Sequence, residues 1–269
     1  MARRGLYFLR SLGACGLLVV LMLGVACGSE SSSPLDAKAE RAKEAIRASD
    51  GPVAPASSSA RTSSASASAP GARRADTRPV VVFLGTSLTA GYGLRESEAY
   101  PALIQTKIDA AGLAFRVVNA GVSGDTSAGG LRRLDWLLRL PISVLVVELG
   151  ANDMLRGQSP EVLAGNLAAI LDRTLEVHPD ARFLIAGMRA APNLGRDYAE
   201  AFDATYPSLA RRYAAPLVPF LLEDVAAVRR LNQADGIHPT AEGHALIADR
   251  VWQALAPLLL EVAPQRDAG

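Results

Sequence analysis

The chain turns on Pro79-Val80-Val81-Val82-Phe83-Leu84 and the residues that follow, Gly85-Thr86-Ser87-Leu88-Thr89-Ala90-Gly91-Tyr92-Gly93. The apolar run is β-branched and uncharged, as a parallel strand buried on both faces reads. The glycines after it permit a tight turn. A serine on such a turn, just past a strand end, is a candidate nucleophile. Strand–Gly–Ser turns also serve as plain connections, so the weight of Ser87 depends on the rest of the chain.

Outward from this stretch, apolar runs alternate with helical patterns. Strands are expected at Val80–Leu84, Phe115–Asn119, Ile142–Leu149, Arg182–Ala186 and Leu217–Phe220. A helix is expected from Pro101 to Ala111, opened by proline and closed by Gly112. Others are expected from Gly129 to Leu140, from Pro160 to Val177, from Arg196 to Tyr213 and from Thr240 to Leu260. The third carries Leu163, Leu167, Ile170 and Leu171 on one face. Alternating strands and helices imply a parallel sheet covered on both faces. In such sheets the site lies beyond the carboxyl ends of the strands.

Three later stretches fall at those ends. Asn119-Ala120-Gly121-Val122-Ser123-Gly124-Asp125-Thr126 follows the second strand, and Gly124 there exposes a backbone N–H; an ordinary glycine turn reads the same way. Glu148-Leu149-Gly150-Ala151-Asn152-Asp153 closes the third strand. Asn152 offers an amide donor, and is equally the residue type of caps and turns. Asp235-Gly236-Ile237-His238-Pro239 precedes the last helix. A carboxylate three residues before a histidine, on a loop held by Gly and Pro, suits orientation of an imidazole by its Nδ1 while Nε2 faces a serine. Of the three histidines, His178 ends a helix before Pro179 and reads as solvated. His244 sits within the last helix without an acidic partner. His238 remains as the base.

Composition narrows the class. The 269 residues carry a formal charge of +1, which gives no electrostatic case for nucleic acid. Both cysteines, Cys15 and Cys27, lie before the expected domain, so it holds neither a disulfide nor a cysteine metal site, and three histidines disfavour a multi-histidine one. No cofactor or metal is expected. Arg3, Arg4 and Arg10 precede an apolar run, Leu12 to Ala26, too short to span a membrane comfortably. Residues 1–27 therefore read as an export signal. Gly24-Val25-Ala26-Cys27 resembles a lipobox with Cys27 acylated, although glycine stands where leucine is usual; Gly24-x-Ala26 also suits ordinary signal peptidase. Residues 28–78, rich in Ser and Ala, read as a disordered tether that cannot offset its ordering entropy, with a brief helical pattern at Lys38–Arg47. The expected product is an exported protein, periplasmic or membrane-anchored through Cys27, with its folded domain at 79–262.

Taken together, the four stretches resemble the SGNH/GDSL hydrolases, nearest the bacterial thioesterase/lysophospholipase/arylesterase subgroup. The likeness rests on Val117-Val118-Asn119-Ala120, Ser123-Gly124-Asp125-Thr126, Asn152-Asp153-Met154-Leu155-Arg156-Gly157 and Asp235-Gly236-Ile237-His238-Pro239. It implies a three-layer α/β/α sandwich on a parallel five-stranded, flavodoxin-like sheet, and no metal. It implies Ser87 as nucleophile, His238 as base and Asp235 as its orienter, with an oxyanion hole from Ser87 N–H, Gly124 N–H and the Asn152 amide. Thr86 departs from the family's usual aspartate, which braces the turn. Met154, Leu155, Met188 and Pro192 are apolar and are expected to line an acyl pocket, with Gly157 and Gly195 as hinges; they read equally as ordinary loop and core residues. The expected reaction is hydrolysis of lipid or aryl carboxylic esters, lysophospholipids among them, by a monomer. The alternatives are an O-acetylesterase of carbohydrate or peptidoglycan on the same fold, and a tethered binding protein with a decayed site.

Overall fold

A computed structural model of the protein describes residues 76–263. The expected export signal with Cys27, the Lys38–Arg47 helix and the expected tether before residue 76 lie outside the described residues. Five strands, β1 (Val80–Gly85), β2 (Arg116–Gly121), β3 (Ile142–Glu148), β4 (Arg182–Ala186) and β5 (Leu217–Val218), form one parallel sheet in the order β2-β1-β3-β4-β5. Seven α-helices accompany them among the described residues: α1 (Ser87–Ala90), α2 (Tyr100–Ala110), α3 (Ser127–Leu137), α4 (Ala151–Leu155), α5 (Pro160–Val177), α6 (Arg196–Arg212) and α7 (Ala241–Val262).

β1 lies between β2 and β3, and all six of its residues are buried, which is why its sequence is apolar at every position rather than at alternate ones. Helix α2 packs on α7, while α3 packs on α5 and α5 on α6, giving the two layers that cover the sheet. Tyr100, Phe83, Phe115, Phe202 and Tyr206 are fully or almost fully buried among them. Because the chain leaves β1 toward β2 on one side and reaches β3 on the other, the connections diverge at the carboxyl end of β1 and leave a crevice there.

The expected strands and helices are present, with shifts that have local causes. β5 stops at Val218, short of Phe220, because Pro219 has no N–H to give the ladder. α3 begins at Ser127, ahead of Gly129, because Thr126 Oγ1 caps it by accepting the Gly129 N–H at 3.3 Å. Thr240 caps α7 from outside in the same way, on Gly243 N–H. Two short helices, α1 and α4, stand where turns were read; each follows a strand end directly. No helix of the described residues is long and apolar enough to cross a membrane.

Candidate active site

Ser87 is the first residue of α1, half-buried at the carboxyl edge of β1. Thr86 precedes it in extended conformation and caps the turn, its Oγ1 accepting the Leu88 N–H at 3.3 Å. Gly91 closes the turn with φ at 73°, the left-handed conformation that favours glycine. α1 rests on the end of β2. A Cβ at Gly121 would lie 2.2 Å from the Ala90 backbone nitrogen, so only glycine lets the two segments approach.

The loop before α7 brings the other two members. Asp235 Oδ1 accepts the N–H groups of Ile237 at 2.9 Å and His238 at 3.0 Å, and Gly236 takes φ of 72° between them. This leaves Oδ2 on His238 Nδ1 at 2.6 Å, and His238 Nε2 reaches Ser87 Oγ at 2.9 Å. The chain of contacts from carboxylate to hydroxyl is thus unbroken, across 151 residues of sequence separation. The bond to the His238 ring, then the two backbone N–H groups, hold the Asp235 carboxyl down to about 2. It is therefore ionised wherever an imidazole can act as a base.

Gly124, with φ of 80°, lies on the segment after β2, and Asn152, in the first turn of α4, on the segment after β3, the two strands on either side of β1. One Asn152 Nδ2 hydrogen goes to the Asp125 carbonyl at 2.8 Å, tying the amide to the Gly124 loop. Among the described residues, neither Ser87 N–H nor Gly124 N–H has an acceptor. Asp153, next to Asn152, is buried and accepts both N–H and Oγ–H of Ser127, at 2.8 and 2.5 Å, so that α4 is fastened to the start of α3.

The expected acyl-pocket residues are placed unequally. Met154 Sδ accepts the Ala191 N–H at 3.1 Å, which joins the segment after Asn152 to the one after β4. Met188 is buried in the core, whereas Leu155 is 65% exposed and Pro192 is exposed. A groove between α5 and α6, lined by Ala164, Ala168, Ala201 and Leu209 among others, contains none of these four. Gly157 and Gly195 both have positive φ, at 65° and 86°.

The other histidines differ from each other. His178, read as solvated, is half-buried with Nε2 at 3.0 Å from the Leu138 carbonyl, because the end of α5 packs against the end of α3. His244 is buried in α7 and its Nδ1 accepts the Tyr100 N–H at 3.1 Å; burial, then the nearby His238, lower it to about 4.

Three participants escaped the sequence reading. Tyr92 lays its ring on His238, with centroids 4.5 Å apart. Gln233 donates from Nε2 to the carbonyls of Tyr92 at 2.7 Å and Pro239 at 3.0 Å, stapling the loop after α1 to the acid–base loop. Glu148, the last residue of β3, is fully buried. Its Oε2 accepts the N–H groups of Thr86 at 2.8 Å and Thr89 at 3.3 Å and the Thr89 hydroxyl at 2.8 Å; the Thr86 hydroxyl lies 3.0 Å from each oxygen. The signal was present in the run Val146-Val147-Glu148-Leu149, where an acid interrupts an otherwise apolar buried strand.

A serine with an imidazole and carboxylate behind it, and free N–H groups beside it, at the carboxyl edge of a parallel sheet, defines the class of serine-dependent α/β hydrolases. The profile of the GDSL-like Lipase/Acylhydrolase family matches residues 83–246. The chain is 43% identical over 180 residues to "Esterase TesA" of Pseudomonas aeruginosa, covering 66% of this chain and 89% of that protein. It is 42% identical over 188 residues to "Thioesterase 1/protease 1/lysophospholipase L1" of Escherichia coli, covering 69% of this chain and 88% of that one. The crystal structure of the psychrotrophic esterase EstA from Pseudoalteromonas sp., inhibited by monoethylphosphonate, superposes with a TM-score of 0.63 at 32% identity, over 67% of this chain and 98% of that one. The chain belongs to the GDSL-like lipase/acylhydrolase family and is a hydrolase of the esterase kind.

Proposed function

We propose that the protein is an exported serine esterase that cleaves lipid or aryl carboxylic esters, lysophospholipids included, through an acyl-enzyme on Ser87. The observation that carries this reading is the contact chain Asp235 Oδ2, His238 Nδ1, His238 Nε2, Ser87 Oγ, at 2.6 and 2.9 Å. Ser87 Oγ attacks the acyl carbonyl while His238 Nε2 takes its proton. Asp235 keeps the ring oriented and stabilises the imidazolium. The carbonyl oxygen, now negative, is met by Ser87 N–H, Gly124 N–H and the remaining Asn152 amide hydrogen. His238 then protonates the leaving alcohol or thiol, and a water deprotonated by the same nitrogen releases the acid. All groups are supplied by the chain. The esterase, thioesterase and lysophospholipase names of the relatives support acyl transfer from small esters.

Export places this domain, residues 79–262, outside the cytoplasm on a 28–78 tether, periplasmic or held at a membrane by acylated Cys27, and acting as a monomer. The test uses the full chain with a fluorophosphonate probe and peptide mapping, beside Ser87→Ala. Labelling at Ser87 and hydrolysis of nitrophenyl esters longer than acetyl are expected. A strict acetyl optimum replaces the lipid-ester reading with a deacetylase; a folded protein that stays unlabelled, or a Ser87→Ala variant with near-normal turnover, overturns the esterase mechanism.

A further inference from the structure

Glu148 is a buried acid with no direct part in the proposed acyl transfer. Strand pairing sets Gly85 opposite it, and a Cβ at Gly85 would lie 2.7 Å from Glu148 Oε2 and 2.0 Å from Thr89 Oγ1. The bare glycine is what lets the carboxylate reach past β1 into the turn that bears Ser87. Its four donors, the N–H and hydroxyl groups of Thr86 and of Thr89, come from one short segment that brackets Ser87 and Leu88. The same strand, four residues on, delivers Asn152. One side chain therefore sets the spacing between the nucleophile turn and the strand that carries the amide donor.

We propose that Glu148 is a positioning residue for acyl transfer, acting as the carboxylate through residues 86–89 to hold Ser87 Oγ on His238 and Ser87 N–H in register with Asn152. The inference rests on the serine-esterase reading above. The polarity of the bonds favours the anion. The two N–H groups can only donate, and the Thr89 hydroxyl donates to Oε2 while accepting from Tyr100 Oη at 2.7 Å. If the carboxyl takes a proton on Oε1, the Thr86 hydroxyl must turn from donor to acceptor, and charge-assisted bonds become neutral and weaker. Thr86 thus meets Glu148 with both its N–H and its hydroxyl.

Among the described residues, no cation balances this charge directly. The titratable and charged groups around it are Tyr100 on α2, reached through Thr89, and Tyr206 on α6, both pushed up chiefly by burial and then by the Glu148 charge. His244 on α7 bonds the Tyr100 N–H. Arg133 on α3 donates to the Gly85 carbonyl at 3.1 Å but is committed to Asp125 at 2.7 Å, and Asp153 on α4 is committed to Ser127. Burial raises Glu148 to about 7 against the pull of its four donors, which places the tightening of the turn within the pH range in which a histidine base works.

The experiment uses the full chain as wild type, Glu148→Gln and Thr89→Val, measuring fluorophosphonate labelling at Ser87, kcat and KM on a nitrophenyl ester across pH, and the melting temperature. The wild type labels. In Glu148→Gln, kcat falls about 10- to 100-fold, the effect of a small misplacement of reacting groups, while KM stays within about 3-fold and the acid limb of kcat loses one ionisation. Thr89→Val, lacking one donor to the anion, moves that acid limb to higher pH. A labelled wild type with Glu148→Gln matching it in kcat and pH profile overturns the role of Glu148 and leaves the esterase standing. A kcat loss that only follows lost folding or raised KM, with the profile unchanged, overturns it too. If Glu148→Gln does not fold, an unmoved acid limb in Thr89→Val decides against the proposal. A folded wild type that does not label removes the esterase reading and, with it, acyl transfer for Glu148 to serve.

Discussion

The oxyanion role proposed for Asn152 draws on a single amide hydrogen. One amide hydrogen is spent on the Asp125 carbonyl, which aims the other. Asn152→Ala is expected to lower kcat about 100- to 1,000-fold, the usual effect of deleting one oxyanion donor. The melting temperature should hardly move, since Asn152 is only half-buried; a large drop in melting temperature would show that the residue is structural instead. Thr86 behaves differently. Thr86→Val removes the cap on Leu88 N–H and a hydroxyl donor to buried Glu148, and should cost about 1–3 kcal/mol in urea unfolding. A loss well under that range would mean that Glu148 finds another donor. His238 must be neutral to accept the serine proton, so activity should rise with pH on the acid side; Asp235, held at about 2, does not contribute to that limb. A flat profile from acid to neutral would count against His238.

At the scale of elements, function depends on short helices seated on strand ends. α1 presses on β2 where Gly121 lies against Ala90, and Asn119 Nδ2 fastens it through the Thr89 carbonyl at 2.9 Å. Gly121→Ala should therefore destabilise the domain by about 1–3 kcal/mol through overpacking and, because α1 begins with Ser87, also lower kcat. Normal turnover in a stable Gly121→Ala protein would show that α1 can shift without moving the nucleophile. The main elements were legible in the sequence because their periods are local: five apolar runs, five helical patterns. α1 and α4 were not, since four or five residues carry no period to read. α1 is set by the Thr86 cap and by Gly91, and α4 starts from Gly150 in a positive-φ conformation and is held by the bond of Asp153 to Ser127.

Over the whole molecule, two buried titrating groups oppose each other, linked through Tyr100. His244, lowered from 6.5 to about 4, stays neutral in the fold. Unfolding lets it take a proton, so its contribution to stability is present above 6.5 and lost as pH falls toward 4. Glu148, raised from 4.5 to about 7, keeps its proton in the fold after the unfolded chain has released it. Its contribution is present below 4.5 and lost as pH rises toward 7. Each is worth about 3 kcal/mol at full extent, so the two largely cancel between pH 4.5 and 6.5. In urea unfolding across that interval, Glu148→Gln should gain stability with rising pH and His244→Gln should lose it. Slopes of the same sign in the two variants would refute the opposition.

By itself, the sequence determined the parallel sheet, the edge at which the site lies, and Ser87, Asp235 and His238 as candidates that the fold joins by hydrogen bonds; Gly124 and Asn152 entered the site through the family resemblance. The sheet and its edge follow from apolar periodicity, and the pairing of Asp235 with His238 from close covalent spacing, with only Gly236 and Ile237 between them, features that survive any change elsewhere in the chain. Only the tertiary structure decided what Glu148, Gln233, Tyr92 and His244 do. Glu148 meets Thr86 across 62 residues and Gln233 meets Tyr92 across 141. Whether such a side chain is solvated, or buried and bonded, depends on which strand lies beside it and on the missing side chain of a glycine, and neither is visible until the sheet has closed.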